Sequence, residues 1–100
     1  MLTMKVKLIT IIAEAVLEER LVRDLRAAGA KGFTRSEVRG EGSRGRRVGD
    51  VEGANVRLES LVSPEAADRI LETLNENYFE HYAIVAFVED VTVVRGDKYV

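Results

Sequence analysis

The chain has 100 residues, of which 46% are hydrophobic and 32% charged, and its formal net charge is -2 at pH 7. This length suits a single domain spanning residues 1–100 with a modest core, and the charge excludes a protein that binds polyanions through its bulk field. The sequence has no cysteine, which excludes disulfides and thiolate metal sites, and its single histidine, His81, argues against a histidine-based metal site.

The start of the chain has the features of neither a transmembrane helix nor a signal peptide. Residues 1–12 are too short and too charged for a transmembrane helix. They also lack the small-residue cleavage pattern of a signal peptide. We therefore expect a cytoplasmic protein with no membrane span.

The first half of the chain predicts a strand, a helix and a second strand. Residues 4–12 mix lysines with a long apolar run, which indicates a strand buried on at least one face. Residues 14–28 carry leucines at helical spacing, acids early and arginines late, as in an amphipathic helix. Gly29 is a natural stop for this helix. Residues 31–39 form the second predicted strand.

The second half repeats this order. Residues 54–62 alternate between apolar and polar side chains and predict a third strand. Ser63 followed by Pro64 is typical of a helix N-terminus, and the second helix runs to about Asn75. Residues 82–95 predict one long strand or two short ones. The expected fold class is therefore α+β, a ferredoxin-like βαββαβ sandwich with an antiparallel sheet and two helices on one face.

The uncovered face of this sheet is expected to be apolar and to form a subunit interface. Its predicted residues, some depending on register, are Ile9, Ile11, Val85 or Ile84, and Phe87 or Val88.

The segment 39–53, called here the Gly/Arg segment, holds five of the eight glycines and four arginines. Glycine lets backbone N–H groups approach a ligand, and the amides of Gly42, Ser43 and Arg44 suit a small anion nest. Arg44 and Arg47 lie three residues apart, so that both guanidinium groups can converge on one phosphate in an ordered turn. The segment predicts an anion-binding loop.

Two other functions compete with this interpretation. The Gly/Arg segment also resembles an RNA-binding tract, although the central strands offer only Phe33 and Phe87 for base stacking and the net charge is negative. A small enzyme is disfavoured because no nucleophile–base pair, metal set or acid dyad is evident. The charged cluster at residues 18–23 is expected to be a solvated helix face. Tyr78, Phe79 and Tyr82 are expected to pack beneath the second helix or at a subunit contact.

The residues around the Gly/Arg segment resemble the PII signal-transduction family. In that family a glycine, an apolar residue and a threonine precede a short strand, and a G-x-G opens the long T-loop. The matching positions are Gly32, Phe33, Thr34, Glu37, Val38, Gly40 and Gly42. The third strand with Glu59 and the last strand with Arg95 are also similar. The resemblance puts the T-loop at about residues 40–54.

The departures from this pattern indicate a particular branch of the family. The glycine- and lysine-containing loop that cradles ATP phosphates in PII proteins is replaced by ENYFEHYAIV, and one phosphate arginine falls on Val93. The chain resembles the PII-like branch associated with bicarbonate transport and carboxysomes. The residues shared with that branch are Gly40, Gly42, Ser43, Arg44 and Arg47, and then Tyr78, Phe79, Tyr82 and Ala83.

The resemblance implies a homotrimeric, non-enzymatic regulator that binds adenine nucleotides between subunits and needs no cofactor. The expected ligands are AMP, ADP or cyclic AMP, with bicarbonate as a further candidate. A bicarbonate transporter or a carboxysome-related protein is the expected partner, and no nucleic acid is expected. Thr34 and Glu59 match family positions near the adenine. The candidate nucleotide-binding residues are Thr34, Gly42, Ser43, Arg44, Arg47, Arg57, Glu59, Ala83 and Arg95.

Overall fold

The computed structural model describes residues 1–40 and 54–100, which fold into four strands and two α-helices. In chain order these elements are β1 (Thr3–Glu14), α1 (Glu18–Ala27), β2 (Thr34–Val38), β3 (Asn55–Val62), α2 (Pro64–Asn77) and β4 (Val85–Val94). Short 3₁₀ turns precede α1 at Ala15–Leu17 and follow β4 at Gly96–Lys98. The predicted order of strands and helices is confirmed.

The four strands form one sheet in the order β2-β3-β1-β4, and every neighbouring pair is antiparallel. Both helices contribute side chains to the core on one face of this sheet. The architecture is the predicted ferredoxin-like sandwich. Residues paired across an antiparallel ladder share a face, so that the register identifies which side chains lie on the face away from the helices, called here the open face.

The core contains Ile9 and Ile11, which are only 1% and 0% exposed. The expectation that these two residues lie on the open face is therefore wrong. The apolar run at residues 8–12 does not alternate with polar residues, and its sequence could not reveal which side chains face the helices. Register puts Leu8, Thr10 and Ile12 on the open face instead.

The same register resolves the alternatives in β4. Ala86 pairs with Ile11, and Val88 pairs with Ile9. Ala86, Val88 and Ile84 accordingly pack against the core. Val85 and Phe87 lie on the open face, where each is more than 40% exposed (45% and 41%).

Sheet pairing sets where β1 ends and α1 begins. Glu14, predicted to start the helix, is instead extended and pairs with Asn55 of β3. The amide of Ala15 then donates to the carbonyl of Ala54 at 3.0 Å. These bonds hold the chain against the sheet, so that regular α-helix begins only at Glu18. Gly29 follows the helix with φ +119°, which suits glycine and agrees with the predicted stop.

The start of α2 agrees with the sequence prediction. The Ser63 hydroxyl accepts a hydrogen bond from the amide of Ala66 at 3.1 Å, and Pro64 occupies the first turn. Ile70 and Leu74 of this helix are fully buried in the core. Among the described residues, no helix is both long and apolar enough to cross a membrane.

Candidate functional site

Two candidate residues, Thr34 and Glu59, lie side by side on the open face. Thr34 at the start of β2 pairs with Glu59 of β3, which also pairs with Thr10 of β1, and Thr10 in turn pairs with Phe87. These four residues form one row across the sheet, called here the central row. Because paired strands lie about 4.8 Å apart, Thr34 and Glu59 can contact the same small ligand.

Arg57 lies two residues before Glu59 on β3 and therefore also lies on the open face, next to the central row. Its Nη2 donates to Glu59 Oε2 at 3.3 Å, which keeps the carboxylate at this position. Both side chains are partly exposed, at 43% for Arg57 and 28% for Glu59. Both side chains can therefore form hydrogen bonds with a bound molecule, and Glu59 can accept one from an exocyclic amine.

Two polar atoms near this pair are buried without a hydrogen-bond partner among the described residues. They are the hydroxyl oxygen of Thr10 and the Nε of Arg57. Buried polar groups are nearly always paired in folded proteins, because an unpaired one loses the hydrogen bonds that it made with water. Their position on the open face indicates that another molecule binds there and supplies the missing hydrogen bonds.

Ala83 lies at the end of the sheet where the Gly/Arg segment leaves it. Val38, the last residue of β2, pairs with Asn55, and Asn55 pairs with Glu14. Val85 at the start of β4 pairs with Ile12, so that Ala83 precedes β4 at this same end of the sheet. Three strand spacings separate β4 from β2, a distance of about 14 Å.

Arg95 lies at the opposite end of the sheet. It follows β4 directly, is exposed, and has a left-handed backbone with φ 57°. Arg95 lies eight residue positions after Phe87, which corresponds to about 26 Å along the strand. One copy of the chain therefore does not bring Arg95 to the central row. The remaining candidates, Gly42, Ser43, Arg44 and Arg47, lie outside the described residues.

A cluster that sequence reasoning missed joins α1 to residues 78–84, called here the connector. The guanidinium carbon of Arg20 lies 4.6 Å from the ring centre of Tyr78 and 5.7 Å from that of Tyr82. Arg20 Nη1 also donates to the Tyr82 hydroxyl at 3.2 Å, which raises the pKa of Arg20. The Tyr78 hydroxyl donates to Asp24 Oδ2 at 2.5 Å. Arg20, which belongs to the charged cluster expected to be a solvated helix face, thus has partners in the connector, as does Asp24 one turn later.

Tyr78 is the central residue of this cluster. It is fully buried, and burial together with its bond to Asp24 raises the pKa of Tyr78 to about 12. Its ring centre lies 6.0 Å from that of Tyr82, in a tilted arrangement. The expectation that Tyr78 packs beneath the second helix is confirmed by its place in the core with α2.

The backbone of the connector is folded onto itself. Leu74 accepts from both Tyr78 and Phe79, and Tyr78 accepts from two later amides, each at 2.9–3.0 Å. The amides that donate inside this part of the chain are those of Tyr78, Phe79, His81, Tyr82 and Ile84. Amides that already donate to carbonyls do not cradle a phosphate. The connector therefore differs physically from a phosphate-binding loop.

Two further observations bear on the alternative functions. Phe33 is not on the open face, because it packs against the core. The guanidinium carbon of Arg26 lies 5.2 Å from its ring centre. Arg35 points to the helix side and pairs with Glu18 at 3.1 Å and Glu19 at 3.0 Å. Of the two aromatic residues considered for base stacking, the open face thus presents only Phe87. Among the described residues, no group of three or more side chains can hold a metal ion.

Comparison with known proteins identifies the class of this ferredoxin-like sandwich. The family model of nitrogen regulatory protein P-II matches residues 6–98. The chain therefore belongs to the P-II family, whose members are signalling regulators.

Solved structures of PII-like proteins superpose over almost the whole chain. A PII-like signalling protein from Thermus thermophilus is 57% identical, with a TM-score of 0.87 and complete coverage of both chains. CPII, a nitrogen regulatory PII-like protein from Thiomonas intermedia, was solved bound to ADP, AMP and bicarbonate. It is 28% identical with a TM-score of 0.86, over 98% of this chain and 96% of its own. CPII bound to ADP and bicarbonate is 30% identical with a TM-score of 0.86, covering 98% and 97%.

Proposed function

We propose that this PII-like protein is a homotrimeric sensor of adenine nucleotides. It binds AMP, ADP or cyclic AMP between subunits and signals through a T-loop at about residues 40–54. Bicarbonate is a candidate second ligand, and the regulated partner is a protein of inorganic-carbon uptake or metabolism. The protein works in the cytoplasm and catalyses no reaction.

The observation that carries this proposal is the juxtaposition of Thr34, Arg57 and Glu59 on the open face. A hydroxyl and a carboxylate in neighbouring strands are suited to the ring nitrogen and the exocyclic amine of adenine. Arg57 holds the carboxylate in place and has a buried nitrogen, Nε, with no hydrogen-bond partner in the described part of the chain. CPII, with similar fold and length, was solved with ADP, AMP and bicarbonate.

The separation of the candidate residues supports a site shared between subunits. Arg95 is about 26 Å from the central row within one copy. In a closed ring of copies, the end of β4 from one subunit can approach the open face of the next. An adjoining subunit would cover the exposed Val85 and Phe87, and it could bind the buried Thr10 hydroxyl, which has no partner within residues 1–40 and 54–100.

The hydrogen bonds of the connector support a preference for AMP, cyclic AMP or ADP over ATP. In the connector, five of the amides at residues 78–84 donate to carbonyls of the same region. Without a glycine- and lysine-containing loop, fewer donors reach the β- and γ-phosphates. One phosphate instead falls to the predicted anion nest at Gly42 and to Arg44 and Arg47, which all belong to the short segment 42–47.

Titration calorimetry with AMP, cyclic AMP, ADP and ATP, each with and without bicarbonate, tests the ligand. Light scattering during size-exclusion chromatography tests the trimer. We expect a trimer whose affinity for ATP is no higher than its affinity for AMP. ATP binding about tenfold tighter than AMP binding, a difference of about 1.4 kcal/mol, would refute the preference. A monomer that binds RNA in a salt-sensitive manner would replace the proposal by the RNA-binding alternative.

A further inference from the structure

We infer that Arg20 of α1 is a positioning residue for nucleotide binding, because it fixes the connector that carries the candidate contact Ala83. The inference rests on the proposed function. It assigns a ligand-dependent role to a residue on the helix side of the fold, remote in sequence from every candidate binding residue.

The guanidinium group of Arg20 makes two kinds of contact with the connector. It lies over the ring of Tyr78, 4.6 Å from the ring centre, where a cation is attracted to the π-electrons. It also donates to the Tyr82 hydroxyl at 3.2 Å. A planar, multidentate cation can satisfy both contacts at once, whereas a lysine ammonium cannot reproduce the flat face.

Asp24 extends this arrangement by one helical turn. It accepts the hydroxyl of Tyr78 and lies four residues after Arg20, on the same side of α1. The two tyrosines are thus held by two neighbouring side chains of one helix. Since Tyr78 is fully buried while Tyr82 is partly exposed, the Arg20–Tyr82 bond is the contact nearest to solvent.

The consequence for Ala83 follows from the backbone of the connector. Tyr82 immediately precedes Ala83, and the amide of Ile84 donates to the carbonyl of Tyr82 at 3.0 Å, so that the chain turns tightly around Ala83. The glycine-free connector has no regular element between Asn77 and Val85. Side-chain contacts from α1 therefore supplement the turn bonds in determining where Ala83 lies at this end of the sheet.

The test compares Arg20→Met with Arg23→Met. Methionine keeps helix propensity and much of the side-chain length but removes the charge and the donor. Arg23 is an exposed arginine of the same helix and serves as the matched control. Tyr82→Phe, which keeps the ring and removes only the acceptor, is the second variant and serves if Arg20→Met fails to fold. Arg20→Lys tests for partial rescue.

Three measurements are made on each folded protein: AMP affinity by calorimetry, hydrogen exchange of residues 78–84 without nucleotide, and the midpoint of thermal unfolding. We expect Arg20→Met to bind AMP about tenfold more weakly and to exchange its connector amides faster. Tyr82→Phe should change AMP affinity and connector exchange in the same direction but by less. Arg20→Lys should lie between Arg20→Met and the unsubstituted protein in both measurements. Arg23→Met should change neither AMP affinity nor connector exchange.

A lower unfolding midpoint with unchanged AMP affinity and unchanged connector exchange would overturn the inference, because it would show a purely structural contact. In that case the unsubstituted protein still binds AMP, and the proposed function stands. If the unsubstituted protein itself binds no adenine nucleotide, the proposed function fails and the positioning role fails with it. The two failures are therefore distinguishable in one set of titrations.

Discussion

Replacing Tyr78 by phenylalanine tests how much one buried hydroxyl contributes to the free energy of unfolding. The ring is fully buried, so that the substitution leaves no large cavity and removes only the donor to Asp24. A hydrogen bond to a charged group contributes about 1.5–3 kcal/mol. We expect Tyr78→Phe to lower the free energy of unfolding by an amount in this range near neutral pH.

The same hydroxyl makes a second, pH-dependent difference. The pKa of Tyr78 rises from 10.0 to about 12 on folding, which corresponds to about 2.7 kcal/mol at about 1.36 kcal/mol for each pH unit. Because the folded pKa is the higher one, this stability is complete below pH 10 and is lost as the pH rises from 10 to about 12. Relative to the Tyr78→Phe variant, the unsubstituted protein should lose about 1.4 kcal/mol by pH 11.

Urea unfolding of both proteins at pH 8, 9, 10 and 11, at equal protein concentration and without nucleotide, measures this difference. All other side chains are common to both proteins, so that their contributions cancel in the comparison. The gap in unfolding free energy should be constant up to about pH 9 and should narrow above pH 10. Parallel curves over the whole range would show that folding does not raise the pKa of Tyr78, and the reasoning about its burial would be refuted.

The remaining predictions concern the candidate ligand contacts and one helix cap. Glu59→Gln should weaken AMP binding by about 1.5 kcal/mol or more, measured by calorimetry, and an unchanged affinity would exclude a contact between this carboxylate and the adenine. Arg47→Ala should weaken nucleotide binding and leave the trimer intact by light scattering, whereas equal affinity would mean that Arg47 faces solvent. Ser63→Ala should lower the free energy of unfolding by about 1 kcal/mol, whereas Ser63→Asp should keep most of the stability of the unsubstituted protein. Equal urea midpoints for all three proteins would contradict the capping role.

Local chemistry explains which parts of the fold could be predicted from the sequence. Ser63 and Pro64 mark the start of α2 because the cap uses atoms within three residues of each other. Gly29 marks the end of α1 because its positive φ is a local requirement. The predicted orientation of β1 is wrong at Ile9 and Ile11, because in an apolar run without alternation the pairing with neighbouring strands decides which face is buried.

The family resemblance put Thr34 and Glu59 near one ligand, and these two residues do pair across adjacent strands. The Arg20 cluster could not be predicted, because its partners are far apart in the chain and an arginine on a charged helix face has no local sign of a buried partner. The only sequence signal was the pair Arg20 and Asp24 at helical spacing together with two tyrosines four residues apart.

The connector joins the stability of the fold to the choice of ligand. Five of its amides donate to carbonyls of the same region, and Tyr78 contacts Arg20 and Asp24. The bonds that keep this glycine-free segment folded therefore occupy the donors that a phosphate would need. A substitution that freed those amides would have to break the turn and expose Tyr78 at once. We therefore expect variants of the connector that gain affinity for ATP to lose stability, a correlation that thermal unfolding and calorimetry on one set of variants can measure.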